Sequence, residues 1–231
     1  MKKNAFILFL KYPERGAVKT RLAKALGDDL TYELYQNFLA DISAMLNQIK
    51  AQTIIVYSGP RDVSFSEFPG VQCIRQRGGN IGERMYHAFL DVFTQGFEQC
   101  VLTGSDSPDL PAVLVNDAFD KLNSADVVLG PSSDGGYYII GCTRKSLPLS
   151  IFHNIQWSTP CVFPETVKRI AEAGLKLTSL PQWFDIDEFD DLKNFYERNI
   201  NGSNKSQVMK FLNTKEIIKD STLPRIITRS I

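Results

Sequence analysis

The sequence predicts an α/β fold built on a mostly parallel sheet covered on both faces. Two observations predict it. Short apolar runs of strand length alternate with longer segments of helical periodicity, and those runs are apolar at nearly every residue rather than at every second one. Runs of that kind belong to strands buried on both sides, as in a parallel sheet flanked by its crossover helices.

Each element follows in order along the chain. "AFILFL" (5–10) is a buried strand, short and bounded by Lys11 and Pro13. A loop with Lys11, Arg15 and Gly16 then leads to a helix opening near Lys19. In "LTYELYQNFLADISAMLNQIK", Leu30, Leu34, Phe38, Ile42, Met45 and Ile49 recur three or four apart, which makes an amphipathic helix. "TIIVYS" (53–58) and "VQCIRQ" (71–76) are the next strands. "GERMYHAFLDVFTQG" sets Met85, Phe89 and Val92 on one helical face, with Gly96 as its stop. "CVLTG" is a strand, "PAVLVNDAFDKLN" a helix with Pro111 at its start, and "DVVLGP" a strand. "YYIIGC" returns as a strand after a Gly-Gly turn, "PETVKRIAEAG" is a helix ended by Gly174, and "LKLTSLP" is a strand. "DEFDDLKNFYERN" is a final helix, with Asp187 placed to cap it. Residues 1–200 read as one domain. From 201 to 231 the chain is a polar C-terminal extension with one modest helical pattern around "VMKFLNTKEIIK".

Composition narrows the function. At 231 residues the chain can bury a sizeable core, and its 26 Lys and Arg balance 26 Asp and Glu. No global basic field points to nucleic acid or an anionic membrane, so anion binding must come from local charge placement. The four cysteines form no C-x-x-C pair, and the two histidines, His87 and His153, have no metal-ligand spacing, which argues against zinc sites and a His-dependent triad. The six-residue apolar run near the start is too short for a signal segment or a membrane span, so a soluble cytoplasmic protein is expected.

Five stretches could carry chemistry. The first is "GAVKTRLAKALG". It is not a P-loop, because Pro13 and Val18 stand where that motif needs glycines, nor a dinucleotide loop, because Gly16 is the lone glycine of residues 1–26. What remains is a strand, a loop with Lys11 and Gly16, and a helix start beside Lys19 and Arg21, where free N–H groups and local cations suit a phosphate. Each cation about 4 Å from a phosphate contributes on the order of 4 kcal/mol before desolvation, at an effective dielectric of about 20. Otherwise these are solvated, exposed charges whose loss would barely alter stability. The second stretch, "TGSDSPDLP" (103–111), lies at a strand's carboxyl end, where α/β sheets place their ligands. Asp106 there can reach a hard cation such as Mg²⁺. Asp109 better suits a helix cap. The third, "GPSSDGGYYIIG" (130–141), reads as a hairpin at Asp134-Gly135-Gly136, whose glycines also permit close approach of a ligand. In the fourth, "FDIDEFDDL" (184–192), Asp185 and Asp187 alternate before a helix, while Asp190 and Asp191 suit its first turn. The fifth, "QRGGNIGERM" (76–85), sets Arg77, Gly78, Gly79 and Gly82 before a helix, either lining a ligand or turning the chain.

Together these stretches resemble one family. "K-x-P-x-x-G-x-V-K-T-R-L" from Lys11 to Leu22, "GGNIGERM", "GSDSPDLP", "GPSSDGGYYIIG", "W-S-T" (157–159) and "D-I-D-x-x-x-D-L" occur in the order seen in an uncharacterised bacterial transferase family. That family is similar to the GT-A-like nucleotide-diphospho-sugar transferases. Some members are described as arsenosugar-biosynthesis glycosyltransferases, and the guanylyltransferases of molybdenum cofactor and of 2-phospho-lactate are more distant relatives. The resemblance covers roughly residues 4–199. It implies a three-layer α/β/α fold around a mixed sheet, with the nucleotide over the strand ends of the first half. By position it implies that Lys19 and Arg21 bind phosphates; Lys11, Gly16, Arg77 and Gly78, from the same stretches, are expected beside them in the nucleotide site. Asp106 and Asp187 look like the two metal carboxylates, and Asp134, Gly135 and Gly136 would face the acceptor. The chain departs from commoner relatives in lacking repeated glycines in its first loop and in having S-D-S rather than D-x-D.

The expected function is therefore a transferase dependent on Mg²⁺ (or Mn²⁺). It would use a nucleotide or nucleotide-sugar and a small acceptor, by glycosyl transfer from an NDP-sugar or nucleotidyl transfer from an NTP, with Lys19, Arg21 and Asp106 carrying the chemistry. The alternative is a non-catalytic nucleotide-binding module on the same fold.

Overall fold

A computed structural model of the chain describes residues 3–202 and 206–218; residues 203–205 and 219–231 of the expected extension lie outside the described set. The strands are β1 (Asn4–Lys11), β2 (Gln52–Ser58), β3 (Gln72–Arg75), β4 (Gln99–Gly104), β5 (Val127–Pro131), β6 (Tyr137–Thr143) and β7 (Leu177–Ser179). They form one sheet in the order β3-β2-β1-β4-β6-β5-β7. β1 pairs parallel with β2 and β4, as β2 does with β3 and β5 with β7. β6 runs antiparallel to both of its neighbours, β4 and β5. The sheet is mixed for a local reason: the short turn through Asp134-Gly135-Gly136 can only send the chain back beside β5.

The helices are α1 (Thr20–Leu26), α2 (Asp28–Leu46), α3 (Ile81–Phe93), α4 (Ala112–Lys121), α5 (Val162–Glu172), α6 (Phe189–Asn199) and α7 (Gln207–Thr214). They cover both faces and complete three layers. Along β1, Phe6, Leu8 and Leu10 enter one core with α1, α2, α4, α6 and α7, while Ala5 and Ile7 enter the other with α3 and α5. Both faces of the strand are covered, so the run has no polar alternation. Fully buried anchors such as Phe38, Phe89 and Phe195 each contribute about 1.5–3 kcal/mol of transfer free energy.

Three local features differ from the sequence expectation. Gly27, at φ 78, separates α1 from α2, and α2 ends at Leu46, so Ile49 packs on the core from beyond the helix. The helix beside Lys19 is only α1, seven residues long, so side-chain charges matter more there than a helix dipole. Asp187 does not cap α6. Glu188 does, in the extended conformation that an N-cap needs, and Asp191 completes a capping box by accepting from the amides of Asp187 and Glu188. The Asp187 carboxylate is thereby left free to turn elsewhere.

The described part of the extension is packed. Ser206 caps α7, and Asp41 of α2 accepts from the Ser206 hydroxyl and from the amides of Gln207 and Val208. All four cysteines are free thiols. No helix among the described residues is long and apolar enough to cross a membrane.

Candidate active site

The sheet order determines where a ligand can sit. β1 has β2 on one side and β4 on the other, and a crevice opens beyond the carboxyl ends of these parallel strands. An open cleft of about 400 Å³ lies there, lined at the strand ends by Lys11, Ser58, Gln76, Ser105 and Asp106. Val18 to Arg21 close one wall, Ile81 and Arg84 of α3 another, and Asp187 a third.

Lys19 is the centre of the cationic wall. Its backbone is left-handed (φ 47, ψ 45), a conformation that costs a non-glycine residue on the order of 1 kcal/mol. The side chain is 6% exposed. Its Nζ donates to Asp187 Oδ1 at 2.9 Å and to the Ile186 carbonyl at 2.7 Å, and it also contacts the Asp106 carboxylate. An ammonium has three protons, and three acceptors surround this one. Burial by itself would lower the Lys19 pKa, but Asp106 and Asp187 outweigh burial and hold it above the ordinary value. Burial likewise pushes Asp187 up, yet the charge and hydrogen bond of Lys19, with help from Arg21, bring it below the usual carboxylate range. The Ile186 amide donates to the Asp106 carbonyl at 2.9 Å, so the two acidic loops are also joined through the main chain. Lys19, Asp106 and Asp187 thus meet in one cluster, and Lys19 is not an exposed surface charge. It is a buried counter-ion to the two carboxylates.

The other predicted cations divide. Arg21 stays open to solvent, 3.9 Å from Glu188, and lines the cleft. Lys11 also lines it and donates to the Ala17 carbonyl at 2.5 Å, across the loop that Gly16 turns at φ 70. Arg77 is held by Asp91 of α3, with Nη2 at 2.7 Å and Nε at 3.1 Å, and is not among the lining residues. Arg84 stands in the cleft instead. Among the described residues it spends only its Nε, on the Gly78 carbonyl at 3.1 Å.

Asp134 serves its own turn first, accepting from the Gly136 amide at 2.9 Å and from the Ser132 hydroxyl. Gly135 has φ 89, and a Cβ there would meet the Pro160 carbonyl oxygen at 2.5 Å, so this hairpin tip admits no side chain. Asp185 connects the hairpin to the centre. Burial, then the charge of Asp134, then those of Asp187 and Asp106 push its carboxyl up to about 6. Asp109 neither caps α4, whose N-cap is Pro111, nor faces the cleft. Arg198 grips it at 2.7 and 3.1 Å and Asn199 at 2.9 Å, clasping the end of α6 to the loop after β4.

Sequence reasoning passed over Tyr35, Gln76, Arg84 and Ser105 as site residues. Tyr35 follows Leu34 on α2 and belongs to the same buried face, but its phenol reaches the strand ends. Gln76 and Arg84 stand within the quoted glycine-rich stretch, and a polar residue right after a strand was the available signal for Gln76.

The fold recurs among solved structures. A Desulfovibrio desulfuricans protein described provisionally as a nucleotide-diphospho-sugar transferase is 35% identical, with a TM-score of 0.89 over 94% of this chain and 96% of that one. CMP:2-keto-3-deoxy-manno-octonic acid synthetase in complex with CTP is 12% identical, with a TM-score of 0.56 over 86% of this chain and 99% of that one. A Mycobacterium tuberculosis protein in complex with manganese is 13% identical, with a TM-score of 0.53 over 85% of this chain and 99% of that one. The fold is the GT-A-like one that the motifs implied. Among curated proteins none matches this sequence. The family model described as "Uncharacterized protein conserved in bacteria (DUF2064)" matches residues 41–159, and the chain belongs to that family.

Proposed function

We propose that the cleft binds the phosphates of a nucleotide and that the protein is a cytoplasmic transferase acting on that nucleotide and a small acceptor. The observation that carries this reading is the charge arrangement: Lys11, Lys19, Arg21 and Arg84 line one cleft with Asp106 and Asp187 at the carboxyl ends of parallel strands. In an otherwise neutral chain, such a concentration suits polyphosphate.

Arg21, Lys11 and Arg84 are the cations with unspent donors, and they would hold the phosphate oxygens. Lys19 keeps Asp106 and Asp187 at a fixed spacing beside them. These carboxylates are hard oxygen donors and fit Mg²⁺ or Mn²⁺. Among the described residues no three acidic, His or Cys side chains form a ready cage. That suits a cation held by one or two carboxylates with the substrate's phosphates completing its shell. When bound, it would neutralise charge developing on the transferred group. The protein's own contribution is positioning and preset charge, without a covalent intermediate. Asp134, Gly135 and Gly136 would receive the acceptor beside Asp185.

Nucleotidyl transfer from an NTP is the first reading, because the cleft cations outnumber its carboxylates and suit a triphosphate. Glycosyl transfer from an NDP-sugar is favoured by the description of the 35% identical relative. Calorimetric titration with nucleotide, with and without Mg²⁺, followed by detection of pyrophosphate or nucleoside diphosphate with a pool of small acceptors, tests both. Pyrophosphate supports the first reading and nucleoside diphosphate the second. Metal-independent binding without turnover would make the protein a binding module. No binding would defeat the proposal.

A further inference from the structure

Gln76 stands just beyond β3, on the opposite side of β1 from Asp106 and Asp187. Its Nε2 donates to the carbonyls of Leu10, at 3.2 Å, and Val56, at 3.1 Å. A main-chain carbonyl only accepts, and a primary amide nitrogen has two protons. Both are therefore spent, and the amide's orientation follows from its partners rather than from a choice between similar atoms. Oε1 must point away from the strands. The residue lines the cleft, and among the described residues no donor bonds this oxygen. In the same cleft, Ile81 is 46% exposed, an apolar surface in an otherwise charged site.

Resting on the nucleotide reading above, we infer that the β2–β3 end of the cleft holds the nucleobase, and that Gln76 Oε1 selects bases carrying an exocyclic amino group. The phosphates belong with Arg21 and the acidic pair, where Lys11, the register partner of Ser58, and Arg84, one turn along α3 from Ile81, can reach them from beside the nucleoside. The nucleoside is left for the end with Ile81, Ser58 and Gln76. Ile81 offers a face for the flat ring. Gln76 offers an acceptor and nothing else, because its donors are committed to β1 and β2. Cytosine, adenine and guanine each present a protruding amino group to such an oxygen. Uracil presents only a ring N–H recessed between two carbonyls, and those carbonyls face the Gln76 oxygen with like partial charge. Leaving the oxygen without a donor in a closed site carries a desolvation cost that uracil cannot offset.

The test is the affinity of the wild-type protein for CTP, ATP, GTP and UTP, measured by calorimetry at one Mg²⁺ concentration. At least one amino-bearing nucleotide is expected to bind tenfold or more tighter than UTP. Gln76→Leu should bring that nucleotide and UTP within about threefold of each other. A ratio is insensitive to any general loosening of the strand ends in the variant, so a merely structural role would leave it unchanged. An unchanged ratio in Gln76→Leu, or equal binding of all four nucleotides by wild type, overturns the inference and leaves the nucleotide reading intact. Absence of binding by every nucleotide overturns both.

Discussion

The phenol of Tyr35 and the hydroxyl of Ser105 lie 2.9 Å apart, joining the middle of α2 to the end of β4 beneath the cleft. The same phenol reaches the Lys11 carbonyl at 3.0 Å. That carbonyl cannot donate, so the phenol's single proton goes to Lys11 and Ser105 must donate to Tyr35. Burial raises the Tyr35 pKa, which keeps that proton in place. Tyr35→Phe takes this partner from the part-buried Lys11 carbonyl and the buried Ser105 hydroxyl, and is expected to cost about 1–3 kcal/mol in denaturant unfolding. A loss below about 0.5 kcal/mol would show that water replaces the phenol without cost.

Lys19→Met should lower stability, because it strips the counter-ion from two carboxylates. Removing one partner of a fully buried pair costs about 3–5 kcal/mol. Here Asp106 and Asp187 are 48% and 44% exposed, so a loss of about 2 kcal/mol is expected after allowance for solvent. Adding Asp187→Asn to Lys19→Met should recover part of it. A double-mutant cycle in urea reads the coupling directly, and strict additivity would mean the pair contributes nothing.

Arg84→Ala is expected to weaken nucleotide binding about tenfold, the equivalent of about 1.4 kcal/mol. Arg77→Ala should leave the affinity within about twofold. Its ion pair with Asp91 is largely exposed and contributes about 0–1 kcal/mol to stability. Equal effects of the two variants on affinity would show that Arg77 leaves Asp91 when nucleotide arrives.

Asp109→Ala removes the acceptor of Arg198 and Asn199 and should destabilise by about 2–4 kcal/mol, since this pair is mostly buried. Nucleotide affinity measured well below the melting temperature should change little. A selective loss of metal-dependent binding in a fully folded variant would instead give Asp109 a part in the metal-binding role proposed for Asp106 and Asp187.

Asp126 predicts a pH effect far from the cleft. It accepts from the Ser146 hydroxyl at 2.6 Å and the Lys176 amide at 2.9 Å, and these bonds hold its pKa below the ordinary 3.8. A depressed carboxylate pKa stabilises the folded state above the unfolded-state value, and that stability is lost as pH falls through the folded-state value. Asp126→Asn should therefore be less stable than wild type at pH 7, by on the order of 1 kcal/mol. The gap should close as pH falls below the ordinary carboxylate value and through the depressed folded-state value. A gap that persists in acid would mean that the side chain's shape matters more than its charge.

Element order was legible because most strands are compact apolar runs, several of them closed by Gly, Pro or Lys. Strand order was not, since the β5–β6 hairpin is local but the pairing of β6 with β4 depends on contacts that local pattern does not encode. Within the site, Lys19, Arg21, Asp106 and Asp187 could be picked out because each stands just past a strand or before a helix. The burial of Lys19 could not. A lysine beside a helix start reads as exposed until Asp187 is brought to it from the far end of the chain. Arg77 and Arg84 look equivalent in sequence, and only the position of Asp91 on α3 decides which of them faces the cleft.

Lys19 and Asp187 are 168 residues apart in the chain. On the ribosome, at roughly 5–20 residues per second, the ammonium waits on the order of 10–30 s for its second carboxylate. Asp106 arrives midway, so a nascent chain passes through a stage with half of this ionic cluster and no closing wall to the cleft. A chain released before the segment leading into α6 therefore carries the Lys11–Lys19 loop without its clasp. The cleft is completed only when the segment carrying Asp187 has been made, so a capable site also marks a chain translated through that segment.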